Sequence, residues 1–310
     1  MSYKVSIALL IAGAMFQVHA AQRYEVTGLV LRVDAPHKTV LVSHDAIPGY
    51  MDAMTMPYSV RDPHLLDHLE PGQKIGFTLV VTKDSSWLEG IHVVPYQSMD
   101  RDPFATKRLQ ILDAVLQPGA PPQLKPGQKV PDFSLLDQMS RTVRLSQFEG
   151  KVVAMTFIYT RCPLPDYCFR LSNNFRRVEQ RFSKRLGTDL ELLSVTFDPV
   201  HDTPDVLAKY AEVWKAEGDG WRFLTGPLPD VKQVCSRFGM SFWPDEGALT
   251  HSLHTVVIDR RGRLVANIEG NQFTAEQLGD LVEATLDEKP ATVSAAHSAP
   301  AGRLDRDRVP

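Results

Sequence analysis

Only three of the 310 residues are cysteine, so the chain has material for one cysteine pair and one thiol left over. The charge balance is nearly even, with a formal net charge of −3, and gives no electrostatic reason to bind nucleic acid. Beyond residue 20 no apolar run approaches the roughly 20 residues that a membrane-spanning helix needs. Between residues 24 and 95 there is no long helical period. The final stretch, "PATVSAAHSAPAGRLDRDRVP", has almost no large apolar side chain and is expected to stay disordered.

What is present is an ordinary globular composition, 43% hydrophobic and 23% charged, in a chain longer than a usual single domain, so two cores are expected. At the N-terminus Lys4 precedes the apolar run "VSIALLIAGAMF", which leads into "VHA" and "AQ". A charged n-region, a short h-region and a small-residue cleavage site make residues 1–20 a signal peptide, cleaved after Ala20. An uncleaved signal anchor is the alternative. No cysteine follows the h-region to carry a lipid. The protein is therefore expected in the periplasm or another extracytoplasmic space, at a membrane only through such an anchor or a partner. There a close cysteine pair can oxidise.

Residues 21–97 read as successive short strands, "YEVTGLVLRV", "TVLVSH", "KIGFTLVV" and "EGIHVV", parted by turns, and predict a small all-β, OB-like barrel. Residues 98–126 form a linker in which "DPFATKRLQILDAVL" suits a short helix and "QPGAPPQLKPGQ" a semi-extended Pro-rich stretch. Residues 127–287 alternate strands and helices in the order of an α/β thioredoxin-like domain, with Phe169, Leu171, Phe175 and Val178 expected on one apolar helix face. Thr203 is expected to cap the helix that Pro204 begins. Residues 288–310 are the tail.

Two of the cysteines stand in "YTRCPLPDYCFRLSNN", where Cys162 follows an apolar strand and Cys168 falls where a helix should begin. A disulfide, a redox dithiol and a metal clamp all suit that position. A loop this short makes a weak staple, and a helix N-terminus favours thiolate, so a functional pair is preferred. Asp166, inside the loop, reads as a cap for the helix N-terminus. Far along the chain, "GALTHSLHTVVID" offers His251 just before a strand, and His254 three residues on, facing the opposite way in extended chain. His254 reads as an ordinary hydrogen-bonded histidine, His201 as an exposed loop residue and Asp198 as a turn former. Cys235 sits with Val231 and Phe238 on the apolar side of a helix and reads as an inert buried thiol.

The first domain concentrates methionine in "GYMDAMTMPY", where Met54 and Met56 alternate on a strand and share one face, with Met51 upstream and His44 at the end of the preceding strand. Thioethers select Cu(I). A hydrophobic patch is the competing reading of the methionines alone. His37, His64, His68 and His92 lie in turns or polar contexts and read as surface residues.

Two family resemblances bear on these alternatives. Residues 125–285 resemble the Sco/SenC family of copper-handling proteins through "GQKVPDFSLLDQ", "FIYTRCP", "SVTFDPVHDTPDVLAKYA" and "LTHSLHTVVIDRRGRL". That resemblance implies one copper ion, Cu(I) or Cu(II), held by Cys162, Cys168 and His251, and an acceptor such as the cytochrome oxidase subunit with the binuclear copper centre. The family usually has three residues between the cysteines, whereas "PLPDY" makes five. Residues 24–95 resemble the CusF-like periplasmic copper-binding family through "HDAIPGYMDAMTMPY", which implies Cu(I) on His44, Met54 and Met56. Where that family carries a copper-covering Trp, this chain has Met51, a further thioether or packing, and Trp87 is given no such role. The expected function is metallochaperone. The alternatives are a thiol-disulfide reductase acting on a partner's copper-binding cysteines, and a copper buffer.

Overall fold

The computed structural model describes residues 21–95 and 122–288, except 217, 219, 246 and 247. The expected signal peptide, linker helix and C-terminal tail lie outside the described residues.

Five antiparallel strands make the first sheet: β1 (Gln22–Asp34), β2 (Thr39–His44), β3 (Met54–Ser59), β4 (Lys74–Val81) and β5 (Ser86–Val93), in the order β3-β2-β1-β4-β5. Val26, Val30, Val40, Val42, Tyr58, Ile75, Phe77 and Leu79 form its buried core. The two outer strands meet through a single parallel bridge, Val60 to Leu88. The N-terminal region is thus β-structured as expected, but a closed barrel is not found. β3 has only six residues and gives way to a 3-10 turn at Pro63–Leu66, capped by Asp62, so there is little strand left to close with.

The second sheet has seven strands: β6 (Ser134–Asp137), β7 (Thr142–Arg144), β8 (Val152–Ile158), β9 (Leu190–Thr196), β10 (Trp221–Thr225), β13 (His254–Ile258) and β14 (Leu264–Glu269). Their order is β14-β13-β8-β9-β10-β6-β7, with β8, β9 and β10 parallel and β13 antiparallel to β8. Every residue of β8 and β9 is buried, the mark of central parallel strands covered on both faces. The helices are α1 (Arg170–Arg181), α2 (Pro204–Val213), α3 (Leu228–Arg237) and α4 (Ala275–Leu286). A β8-α1-β9 crossover followed by an antiparallel β13-β14 hairpin and a closing helix is the thioredoxin arrangement. A separate hairpin, β11 (Phe242–Asp245) with β12 (Ala248–His251), projects before β13 and pairs His251 with Phe242.

Some local expectations are corrected. Leu171, Phe175 and Val178 are buried, but Phe169 is 58% exposed, because a residue two before Leu171 does not share its helix face. Thr203 occupies the N-cap of α2 without a side-chain cap bond.

The two sheets are joined by direct contact. β1 is buried on both faces: Val26 and Val30 enter the first core, while Leu29 and Leu31 belong to the larger second core. Gly72, at φ +90°, lies so close to β14 that a Cβ there would stand 3.0 Å from the Ala266 Cβ. On α4, Asp280 Oδ2 accepts from Ser43 Oγ and Thr55 Oγ1 at 2.7 Å each, and its Oδ1 accepts from Arg181 at 2.8 Å. Gln277 donates to the Ser43 carbonyl at 3.2 Å and to Asp45 at 3.1 Å. α1 and α4 run side by side in the same direction, Asn174 meeting Phe273, Arg177 meeting Glu276 and Arg181 meeting Asp280.

Candidate metal centres

β8 delivers the chain to Cys162, and the seven-residue stretch from Cys162 to Cys168 then enters α1 through a π-helical turn, Pro165–Phe169. Tyr167, inside it, has non-helical backbone (φ −107°, ψ −109°). Asp166 is not the expected cap: Leu164 holds the N-cap position without a side-chain bond, and the Asp166 side chain is exposed.

β12 carries His251 to the same place. One ligand atom each from Cys162, Cys168 and His251 lies within 4.8 Å of the other two. His251 is half-buried among three buried aromatic side chains, with ring centroids 4.7 Å from Phe197, 5.6 Å from Tyr159 and 5.9 Å from Tyr167. Its Nδ1 is 2.9 Å from the Ser252 carbonyl. A carbonyl only accepts, so Nδ1 carries the proton and Nε2 keeps its lone pair.

The two sulfurs are unequal. Cys162 is half-buried, and hydrogen bonds from the Cys168 thiol first, then from the backbone, outweigh burial and hold its pKa well below the ordinary thiol value. Cys168 is 1% exposed, and burial first, then the Cys162 sulfur, pushes its pKa up. Burial also raises the Tyr159 hydroxyl, with the two sulfurs adding to the effect. The arrangement offers one accessible thiolate, one shielded sulfur and an oriented imidazole.

Beside this site Asp198, His201 and Asp202 also gather within 4.8 Å. They act as scaffold. Asp202 accepts from Thr160 N, Thr160 Oγ1, Thr196 Oγ1 and His201 Nδ1. Asp198 accepts from Arg161 at 2.8 Å, so Asp198 does more than form a turn. His201 is exposed, as expected. His254 is fully within the core, its Nδ1 3.0 Å from Asn267 Oδ1, and Cys235 is buried on α3. The sequence reading assigned no role to Tyr159, Tyr167, Phe197 or Arg161, although Tyr159 and Arg161 stand inside the quoted "FIYTRCP".

In the first sheet His44 pairs directly with Met54, and Val42 with Met56, so His44, Met54 and Met56 stand on one face of the β2-β3 ladder. Ser43 and Thr55 pair on the opposite face, the one gripped by Asp280. His44 is 1% exposed, its Nδ1 is 2.8 Å from the Asp45 carbonyl, and its buried Nε2 has no hydrogen-bond partner. An imidazole nitrogen left bare in a core costs about 1–3 kcal/mol, and beside two thioethers a soft ion would satisfy it. Met54 is 50% exposed, while Met56 and Met51 pack against the first core, so Met51 has an evident packing role. Trp87 is engaged elsewhere, with the Arg61 guanidinium 3.3 Å over its ring and its Nε1 donating to Glu89. His37, His64, His68 and His92 are exposed.

A thioredoxin-like domain whose cysteine pair faces an imidazole belongs to the class of thiol proteins built for metal or redox work. The chain is a member of the SCO1/SenC family, which residues 121–286, more than half of its length, match. Residues 23–93 match the family described as copper binding periplasmic protein CusF. Among relatives, Protein sco1 of Schizosaccharomyces pombe is 27% identical over 154 residues, covering 47% of this chain and 56% of the relative. The SCO1 protein homolog of Bacillus subtilis is 29% identical over 98 residues, covering 32% and 49%. The chain thus spans about half the length of these relatives. The structure of yeast Sco1 with copper bound aligns at a TM-score of 0.44 and 24% identity, covering 55% of this chain and 92% of that one.

Proposed function

We propose that the protein is an extracytoplasmic copper metallochaperone that binds Cu(I) at His44, Met54 and Met56 and copper at Cys162, Cys168 and His251. The convergence of Cys162, Cys168 and His251 within 4.8 Å, with the imidazole Nδ1–H donated to the Ser252 carbonyl, carries this reading. Two sulfurs and an imidazole form a donor set that suits copper in either oxidation state, whereas thioethers favour Cu(I). The acceptor in this reading is a protein with a binuclear copper centre, such as a cytochrome oxidase subunit. Among the described residues no helix is long and apolar enough to cross a membrane.

The protein's part is to shape both sites and keep them apart. Ser43 and Thr55 tie the first site to α4 level with Arg181. Cys168 stands two residues before Arg170, and α1 from Arg170 to Arg181 is about 16 Å long at 1.5 Å per residue. Ligand exchange needs both donor sets on one ion at once. In the docked chain the two sites therefore serve as separate stations, and an ion moves between them only when the domains part or when two chains meet.

The unequal sulfurs favour a second reading, a thiol-disulfide reductase in which Cys162 attacks and Cys168 resolves. Reconstitution with Cu(I) separates the two. Two bound equivalents are expected, with one lost in His251→Ala and a different one lost when Met54 and Met56 are both replaced by alanine. Unchanged stoichiometry in His251→Ala, together with catalytic disulfide reduction, would favour the reductase.

A further inference from the structure

The five residues between the cysteines need something to hold them. Pro163 and Pro165 stiffen the loop, yet neither has an N–H with which to anchor it. The corner between β14 and α4, residues 270–273, lies against the loop, and each of its residues bonds a different part of the molecule. The Gly270 N–H donates to the Leu253 carbonyl at 2.8 Å, two residues beyond His251. Asn271 Nδ2 donates to the carbonyl of Asp166, two residues before Cys168. The Gln272 carbonyl accepts from Lys74 of the first sheet at 3.0 Å, and the Phe273 carbonyl accepts from Asn174 of α1 at 3.5 Å. Gly270 has φ +86°, in the left-handed region that glycine tolerates, and this turns the chain so that the next side chain points at the loop. Asn271 is 4% exposed, so water does not readily replace its bond.

We infer that Asn271 is a positioning residue for the Cys162/Cys168/His251 site, holding the long cysteine loop against the same corner that holds the histidine arm. The two arms are far apart in sequence, and residues 270 and 271 are adjacent. A single turn of backbone thus sets the separation of the sulfurs from the imidazole. The inference rests on the functional reading above for its copper consequence, but not for its effect on the metal-free cysteine pair.

The test compares Asn271→Asp, which keeps the shape and replaces the donor by an acceptor, and Asn271→Leu, which removes the donor without burying a charge. The full chain is used in both cases. Reduction potential of the metal-free Cys162/Cys168 pair is measured against a glutathione redox buffer, and Cu(I) affinity by competition with a chromophoric chelator. Both variants are expected to change the dithiol-disulfide equilibrium at least tenfold, about 30 mV for a two-electron couple, and to weaken Cu(I) at this site about tenfold. Asn174→Leu removes a bond at the same corner that does not touch the cysteine loop. It is expected to lower the thermal midpoint while leaving potential and affinity unchanged. Values within twofold of the parent in whichever Asn271 variant folds would overturn the inference, as would an equal shift in Asn174→Leu. Failure of the parent protein to bind Cu(I) at the cysteines would overturn the functional reading instead, and the potential comparison would still judge Asn271.

Discussion

His44 and His251 are oriented by the same device in two unrelated sheets. Each ring holds Nδ1 within 2.9 Å of the carbonyl of the residue that follows it, Asp45 or Ser252. Each imidazole is thereby fixed in the tautomer that leaves the Nε2 lone pair free to coordinate. The surroundings then differ. His44 is closed in beside thioethers at the end of β2, and His251 is half-open beside two sulfurs at the end of β12.

The methionines of the first site should separate binding from stability. Met54 is half exposed, so Met54→Ala is expected to change folding stability by less than about 0.5 kcal/mol while removing most Cu(I) affinity at this site. Met56 packs on the core, and Met56→Ala should cost about 1–2 kcal/mol as well as affinity. Urea unfolding and Cu(I) titration of the two variants check the split. Equal stability losses would contradict the placing of the two side chains.

The cysteines should alkylate in order. Thiolate is the reactive form, and the Cys162 pKa is lowered, so its rate with iodoacetamide should hold nearly constant from pH 8 down to pH 6. An ordinary thiol, with a pKa of about 8.5, loses close to tenfold per unit over that range. Cys168, buried and raised, should react at least tenfold more slowly at every pH. Peptide mass spectrometry after timed labelling gives both rates. Replacing Cys168 with alanine removes the thiol that donates to Cys162 and should restore part of the ordinary pH dependence.

Asp280 should act as a latch between the sheets. Asp280→Ala removes acceptors for Ser43, Thr55 and Arg181, and is expected to weaken docking by about 2–3 kcal/mol. Small-angle scattering should show a larger radius of gyration. With one Cu(I) equivalent per chain, exchange between the two sites should be faster in the variant than in the parent at low protein concentration. A parent chain that exchanges as fast as the variant would contradict the separate-station reading.

Gly72 tests the same interface by crowding. Gly72→Ala places a Cβ 3.0 Å from Ala266 at φ +90°, where side chains are already strained, and should lower stability by about 1–2 kcal/mol. Calorimetry checks it, and Gly127→Ala, which also has positive φ but open space around the Cβ, should cost less.

Most of the second domain was legible along the chain, because β8 and β9 are uniform apolar runs and α4 begins with the capping pair Thr274 and Gln277. The β11-β12 hairpin was not, since Pro244 in "SFWPDEGALTH" argues against a strand and the pairing is local to an edge. Barrel closure was read from strand count, which says nothing about whether the two outer strands, β3 and β5, pair along their length. "GLVLRV" in β1 carried an unread sign of docking. Its apolar residues are consecutive because Val30 faces one core while Leu29 and Leu31 face the other.

The sequence by itself determined which donors are available and how each lies on its own element. Met-Thr-Met must alternate on a strand, and two cysteines with prolines between them must form a short stiff loop, because these patterns depend only on neighbouring residues. Which cysteine is accessible, what orients His251, and that Thr55 turns its hydroxyl toward Asp280 while Met54 and Met56 face away were decided by the tertiary structure. Burial and long-range hydrogen bonds join residues a hundred or more positions apart, such as Asn271 to Asp166 and Thr55 to Asp280, and no local pattern specifies those partners.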